Sequence, residues 1–333
     1  MTAHPPESEG ITLRSDELEV VVLPGKGADI YSIIDLASGI DVLFKTPWGW
    51  QDPQRLPSTA DSQLDWLARY AGGWQQLLPN AGAPREVAGV LRGYHGEAAV
   101  TGWRAVFVTT SIAELETTLV TAPLALTRKV EVSGPAVRVR DTVRNESPDP
   151  VPVMWVQHPA FGAPFIDDRA VISAGARRIV SDAEAPGTVL PNDQSCGFPK
   201  GVGRAGEPVD LGRAPAAGSA SATFAALTDF DAGWFAIDSP TAGFGIRVEW
   251  DLACFPHAWF WQECNATKNF PWYRRAYVVA VEPANTLPGE PSPALPERGQ
   301  APLITGDETW TSTITFSRTA LRADAPATPI HAQ

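Results

Sequence analysis

Three side chains in this 333-residue sequence could do proton-transfer chemistry together: His95, His158 and Glu282. His158 ends an apolar run in VMWVQHPAFGAPF, and Pro159 follows at once. The proline restricts His158 to extended backbone and removes the next backbone donor, which stiffens the chain where it presents the imidazole. His95, in LRGYHGEAAVTGW, precedes Gly96, whose freedom allows a tight turn or the close approach of a ligand. Glu282 lies in AYVVAVEPAN, where alternation puts Val279, Val281 and Pro283 on one face and Val278, Ala280 and Glu282 on the other. A carboxylate in such an apolar strand is either a rim charge or a base presented to a cavity. Partial burial would raise its pKa toward neutrality, which suits a general base. Taken one at a time, both histidines also read as structural or surface residues. His257, in CFPHAWFWQEC, reads as a core or loop histidine among aromatics, and His4 and His331 fall in loose termini.

Strands must position these groups. Glycine and proline are both frequent, 28 and 31 residues, and they punctuate short runs rich in Val, Thr and aromatics. ELEVVVLP and ADIYSIID pair around a PGKG turn, and WRAVFVTT, ELETTLVT, ALTRKVEVS, AVRVRDTVRN and PVPVMWVQH follow at the spacing of an antiparallel meander. In AVRVRDTVRN, Val137, Val139 and Val143 share one face, while Arg138, Arg140, Thr142 and Arg144 share the other, which reads as the solvated side of a sheet rather than as a phosphate or sulfonate site. SATFAALTD, GWFAID, FGIRVEW, AWFWQEC, RRAYVVAVEP and TWTSTITFSR continue the style. One short helix is expected near TADSQLDWLARY. Without long amphipathic helices alternating with strands, a parallel α/β sheet is not expected. The expected architecture is all-β: two large antiparallel sheets face to face over residues 11–318, with flexible ends at 1–10 and 319–333.

Composition narrows the partners. A net charge of −12 argues against nucleic acid and anionic membranes, which need a basic surface. Three widely spaced cysteines suggest neither a disulfide framework nor a zinc site. The N-terminus lacks a basic region leading into an apolar run, and no stretch is apolar for long enough to span a bilayer, so a cytoplasmic location is expected. No G-x-G-x-x-G and no metal-spaced ligand set occurs, so no cofactor and no metal are expected.

Read together, the fragments GGWQQLLPNAG, YHGEA with Trp103, QHPAFG and VEPAN resemble, in order and rough spacing, the aldose 1-epimerase (galactose mutarotase-like) family over residues 15–318. The resemblance implies a β-supersandwich with a sugar cleft, and cofactor-free interconversion of the α- and β-anomers of a free sugar. By motif, Glu282 resembles the base at the anomeric O1 hydroxyl and His158 the acid at the ring oxygen. His95 resembles the second histidine, bonding the ring-oxygen side or a neighbouring hydroxyl. Asn80 lies in the sugar-binding motif, but Ala81 stands where many members carry an arginine, and Arg85 is only nearby. The family's hydroxyl-binding aspartate has no clear match beyond Asp231, which also reads as a turn aspartate. Glu97, unusual after the histidine, could bond a hydroxyl or orient His95. Gln262 is the more natural cleft partner of the Gln262–Glu263 pair, and Trp155 and Trp261, with Trp74 and Trp259, lie nearest the motifs.

The expected partner is a small sugar, and the expected assembly a monomer or homodimer. Two other functions fit the sequence: a mutarotase for a phosphorylated or sulfonated sugar held by Arg274 or Arg275, and a non-catalytic carbohydrate sensor of the same fold. An eliminating lyase would use a tyrosine such as Tyr94 or Tyr273, but no uronate clamp accompanies them.

Overall fold

The computed structural model describes residues 9–52 and 58–322, together with residues 5 and 56. Among the described residues, seventeen strands join into one continuous antiparallel sheet that folds into two layers. The first layer runs Ile11–Arg14, Leu18–Leu23, Asp29–Asp35, Trp74–Leu77, Val156–Gly162, Tyr277–Ala284, His257–Cys264. The second runs Arg104–Val108, Ile112–Thr118, Leu124–Ser133, Ala136–Asn145, Thr309–Thr319, Phe244–Trp250. Two long strands, Val171–Ser181 and Ser221–Ser239, serve both layers. Ser221–Leu227 pairs with Ala258–Cys264 in the first, and Trp234–Ser239 pairs with Phe244–Glu249 in the second.

A bulge between Ala174 and Ala176 bends this shared pair from one layer into the other. Gly175 makes the bend possible, since a Cβ there would lie 2.1 Å from the Ala232 carbonyl oxygen. The expected all-β sandwich is borne out, as are the hairpin around PGKG and the helix, Ser62–Arg69. Asp61 caps that helix by accepting hydrogen bonds from the backbone N–H groups of Gln63 (2.9 Å) and Leu64 (3.1 Å). Alternating strand residues build the core between the layers: Val130, Val137, Val139, Val143 and Phe316 from one side meet Trp74, Phe161, Phe260, Val279 and Val281 from the other. Arg138, Arg140 and Arg144 are exposed, as their alternation predicts for a solvated face.

Three readings are corrected. The run PVPVMWVQH does not continue the meander. Val151–Pro152 pairs with Leu303–Ile304, and the chain then crosses to the first layer, where Val156–Gly162 sits between Trp74–Leu77 and Tyr277–Ala284. His158 therefore stands inside a strand, not at its exit. Pro159, which has no N–H, is tolerated there because it falls in a gap of the ladder with Tyr277–Ala284, which is registered at Val156 and resumes at Ala160. Finally, ordered structure passes residue 318, since the last strand reaches Thr319 and Arg322 pairs with Asp238 (2.6 Å). Residues 323–333, with His331, and His4 lie outside the described residues.

One polar cluster ties the layers together behind the motif histidine. Arg128 and Asp141, both within the interlayer core, form a two-pronged ion pair (2.8 and 2.9 Å). Gln157, the residue before His158, donates to Asp141 (2.8 Å) and accepts from Arg128 (3.2 Å) and from the Trp74 indole (2.9 Å). Arg128 also donates to the Ala28 carbonyl (3.1 Å). A buried charge is tolerated when every lone pair and proton is engaged in this way.

Candidate active site

The outer face of the first layer carries two of the three candidate residues. Its register sets Val156 opposite Ala284 and Ala160 opposite Ala280, which places His158 directly across from Glu282 on the neighbouring strand. On their other sides His158 faces Gln75 and Glu282 faces Trp259. Ala160, Ala280 and Ala284, two residues along on the same face, pack into the apolar cluster that flanks the pair. His158 and Glu282 border a cavity of about 380 Å³, within the range of small-molecule sites.

His158 Nε2 lies 3.6 Å from Glu282 Oε1, and both side chains are almost fully buried. Burial disfavours charge on each. It lifts the Glu282 carboxyl to about 8 and, with a contribution from the Lys26 charge, drops the His158 imidazole to about 4. At neutral pH burial thus favours a carboxylic acid beside a neutral imidazole, a pair with one proton to exchange.

His95 enters from the loop that closes the cavity. Its backbone adopts the left-handed region (φ 58°), as does Gly96 (φ 78°), an arrangement that costs conformational energy for a histidine. A Cβ on Gly96 would lie 2.4 Å from the Leu78 carbonyl oxygen, so only glycine fits. The His95 N–H donates to the Gly82 carbonyl, and the Gly82 N–H donates back to His95 Nδ1, each at 3.0 Å. With Nδ1 accepting and burial holding the pKa well below 6.5, the ring is neutral and carries its proton on Nε2. His95 is consequently a fixed donor, 6.1 Å from the His158 ring.

Aromatic rings enclose the three groups. Trp66 meets His95 edge-on (4.5 Å), Tyr70 meets His158 edge-on (5.8 Å), and Trp261 lies 5.9 Å from His158 and 5.6 Å from Trp272. Trp66, Leu67 and Tyr70 come from the buried face of the short helix, and sequence reasoning missed them as site residues. Their signal was present, since an apolar and aromatic helix face immediately precedes GGWQQLLPNAG.

The structure brings His95, His158, Glu282, Trp259 and Trp261 together in one cavity, with Tyr94 in its wall, and sends Asn80, Glu97, Gln262, Trp155, Trp74, Asp231 and Arg85 elsewhere. Asn80 is buried and donates to the carbonyls of Ala83 and Gly93, both 2.9 Å, so it shapes the loop that carries Gly82. The Glu97 carboxylate accepts from the N–H groups of Val120 and Thr121 and from the Thr121 hydroxyl. Gln262 points to the opposite face from Trp261, as alternation requires, and donates to the Arg213 carbonyl (3.3 Å). Glu263 shares the face of Trp261 but is spent on the backbone of Ala266 and Thr267. Trp155 packs edge-on against Phe255 (5.1 Å) in the interlayer core, and Trp74 is fully buried there. Asp231 makes an exposed ion pair with Arg177 (2.9 Å).

Arg85 borders an adjoining compartment of about 130 Å³, where it binds the Gly299 carbonyl and Glu290. Arg274 and Arg275 are both exposed, and Arg275 donates to the Pro47 carbonyl (2.7 Å). Among the described residues no arginine or lysine lines the cavity, which removes the basis for the charged-sugar reading.

A family model described as a domain of unknown function (DUF4432) matches residues 8–317. No curated protein matches the sequence. Among solved structures, the fold is similar to a protein from Synechocystis sp. PCC 6803 (TM-score 0.67, 15% identity, covering 96% of this chain and 98% of that one). It is also similar to a galactose mutarotase-like protein from Lactobacillus casei ATCC 334 (0.61, 15%, 93% and 99%). A galactose mutarotase related enzyme from Lactobacillus acidophilus is a further likeness (0.63, 13%, 94% and 98%). At these identities the likeness shows the fold, and the expected galactose mutarotase-like resemblance is borne out at that level.

Proposed function

The chain belongs to the DUF4432 family, and from that membership, its fold and its cavity we propose a mutarotase. As such it is an isomerase that interconverts the α- and β-anomers of a free sugar. The observation that carries this reading is the buried cross-strand pair, His158 Nε2 to Glu282 Oε1 at 3.6 Å, on the floor of an aromatic cavity.

Ring opening requires one proton to leave O1 while another arrives at O5, and both oxygens are bonded to C1. The C1–O5 bond breaks, an aldehyde forms at C1, and rotation about C1–C2 precedes closure from the other face. A pair holding one proton can serve both oxygens at once. With the charges separated, Glu282 accepts from O1 and His158 donates to O5, the roles that motif resemblance assigns. With the proton on Glu282, the form that burial favours, the roles are exchanged. Closure reverses each transfer, so within one turnover either group acts as both acid and base. His95 Nε2–H supplies a fixed donor to the ring-oxygen side, and the aromatic walls exclude water and pack the sugar's C–H faces.

Anomer exchange, followed by polarimetry or by NMR saturation transfer across a sugar panel, tests the reading. Glu282→Gln and His158→Asn should each abolish the acceleration while circular dichroism stays unchanged. Full activity in Glu282→Gln would reject the assignment. Sugar binding without any acceleration would instead identify a sensor.

A further inference from the structure

The cavity is short of groups that could accept a proton from a sugar hydroxyl. Among the described residues that line it, the side chains beyond His95, His158 and Glu282 that can accept are Gln63, Tyr70 and Tyr94; no Asp, Asn, Ser or Thr is among them. The Tyr70 hydroxyl is sealed from the open space, as is the Trp66 indole N–H. The indoles of the wall are donors only, and that of Trp259 already donates to the Thr286 carbonyl (2.8 Å). Backbone carbonyls at the rim are also engaged: Gly82 by His95 N–H, Ala83 by Asn80, and Pro288 by Arg298.

In the adjoining compartment Arg85 is held by Gly299 and Glu290, and Asp182 Oδ1 accepts from the N–H groups of Glu184 and Ala185 while its Oδ2 lies 3.9 Å from Arg298. The Glu184 and Glu290 carboxylates stand at the exposed side of that compartment, outside the cavity that holds His158 and Glu282. A hexopyranose has four hydroxyls besides the anomeric one, and an enclosed hydroxyl without a partner loses its hydration uncompensated. Replacing a hydroxyl by hydrogen removes that loss and adds C–H surface for Trp261, Trp272 and Phe224.

We infer that the cavity selects a hydroxyl-poor sugar, a deoxysugar, over the corresponding fully hydroxylated hexose. This inference rests on the cavity being the sugar site proposed above. The test measures binding by tryptophan fluorescence for hexoses paired with their 2-, 3- and 6-deoxy and dideoxy counterparts, using the unmodified protein. The expected result is that at least one deoxy counterpart binds about tenfold tighter for each hydroxyl removed, the factor that about 1.4 kcal/mol represents. The inference is overturned if every hexose binds as tightly as its deoxy counterparts, or if no member of the panel binds. Anomer exchange on the same panel decides the activity separately. Tight deoxysugar binding without exchange rejects the mutarotase reading and keeps the selectivity, whereas exchange that prefers hexoses does the reverse.

Discussion

Replacing Glu282 by glutamine should make the protein more stable as it destroys the activity, and the gain should grow with pH. The side chain is buried, and burial alone raises its pKa from 4.5 to about 8. In the unfolded chain the carboxyl ionises near 4.5, whereas in the folded protein it keeps its proton to about 8. A raised carboxyl pKa contributes stability that is fully present below the unfolded value and is lost as pH rises through the folded one. At 1.36 kcal/mol per unit, the loss between pH 5 and 8 is about 4 kcal/mol. Glutamine has nearly the same shape and does not titrate, so Glu282→Gln escapes this loss. Urea denaturation of both proteins at pH 5 and pH 8 measures it, with the stability difference expected to move by about 4 kcal/mol in favour of the variant. Exchange activity should fall by about 10²–10⁴-fold, the usual contribution of a positioned acid–base group. An unchanged stability difference at the two pH values would mean that the carboxyl titrates as if solvated, and the one-proton pair would be refuted.

The same pair predicts a bell-shaped pH dependence of kcat/KM with limbs near 4 and 8, because below the lower limb there is no acceptor and above the upper one no donor. A profile with a single inflection near 6.5 would contradict it. Arg128→Met should destabilise the fold by about 3–5 kcal/mol in urea titration, since it strands the Asp141 carboxylate inside the interlayer core. A loss under about 1 kcal/mol would show that the cluster is not what joins the layers. Asp231→Asn should leave exchange within about twofold of the parent, because its exposed pair with Arg177 lies outside the cavity.

Much of the site was legible because it is local. Apolar alternation, glycine and proline punctuation and the four short motifs specify strands, and a strand's period of two fixes which face each residue takes. Period two also predicted that Gln262 and Glu263 part company, although it could not say which face bounds the cavity. Trp261 settles that, and it is Glu263, not Gln262, that shares its side. Asn80 and Glu97 were legible as motif neighbours, but whether a polar side chain meets a ligand or its own backbone depends on loops such as 118–122 and 82–83 folding back over them.

The sequence by itself determined the all-β class, the hairpin around PGKG, the short helix, the solvated arginine face and the three residues that meet at the cavity. Only the tertiary structure decided that His158 and Glu282 are cross-strand neighbours, since that register joins segments more than a hundred residues apart. It also decided that Trp155 belongs to the core, and that the helix supplies the cavity's aromatic wall. The protonation of the pair is likewise a tertiary property. A carboxyl near 8 beside an imidazole near 4 arises from desolvation, and desolvation is a sum over every neighbour the fold brings in.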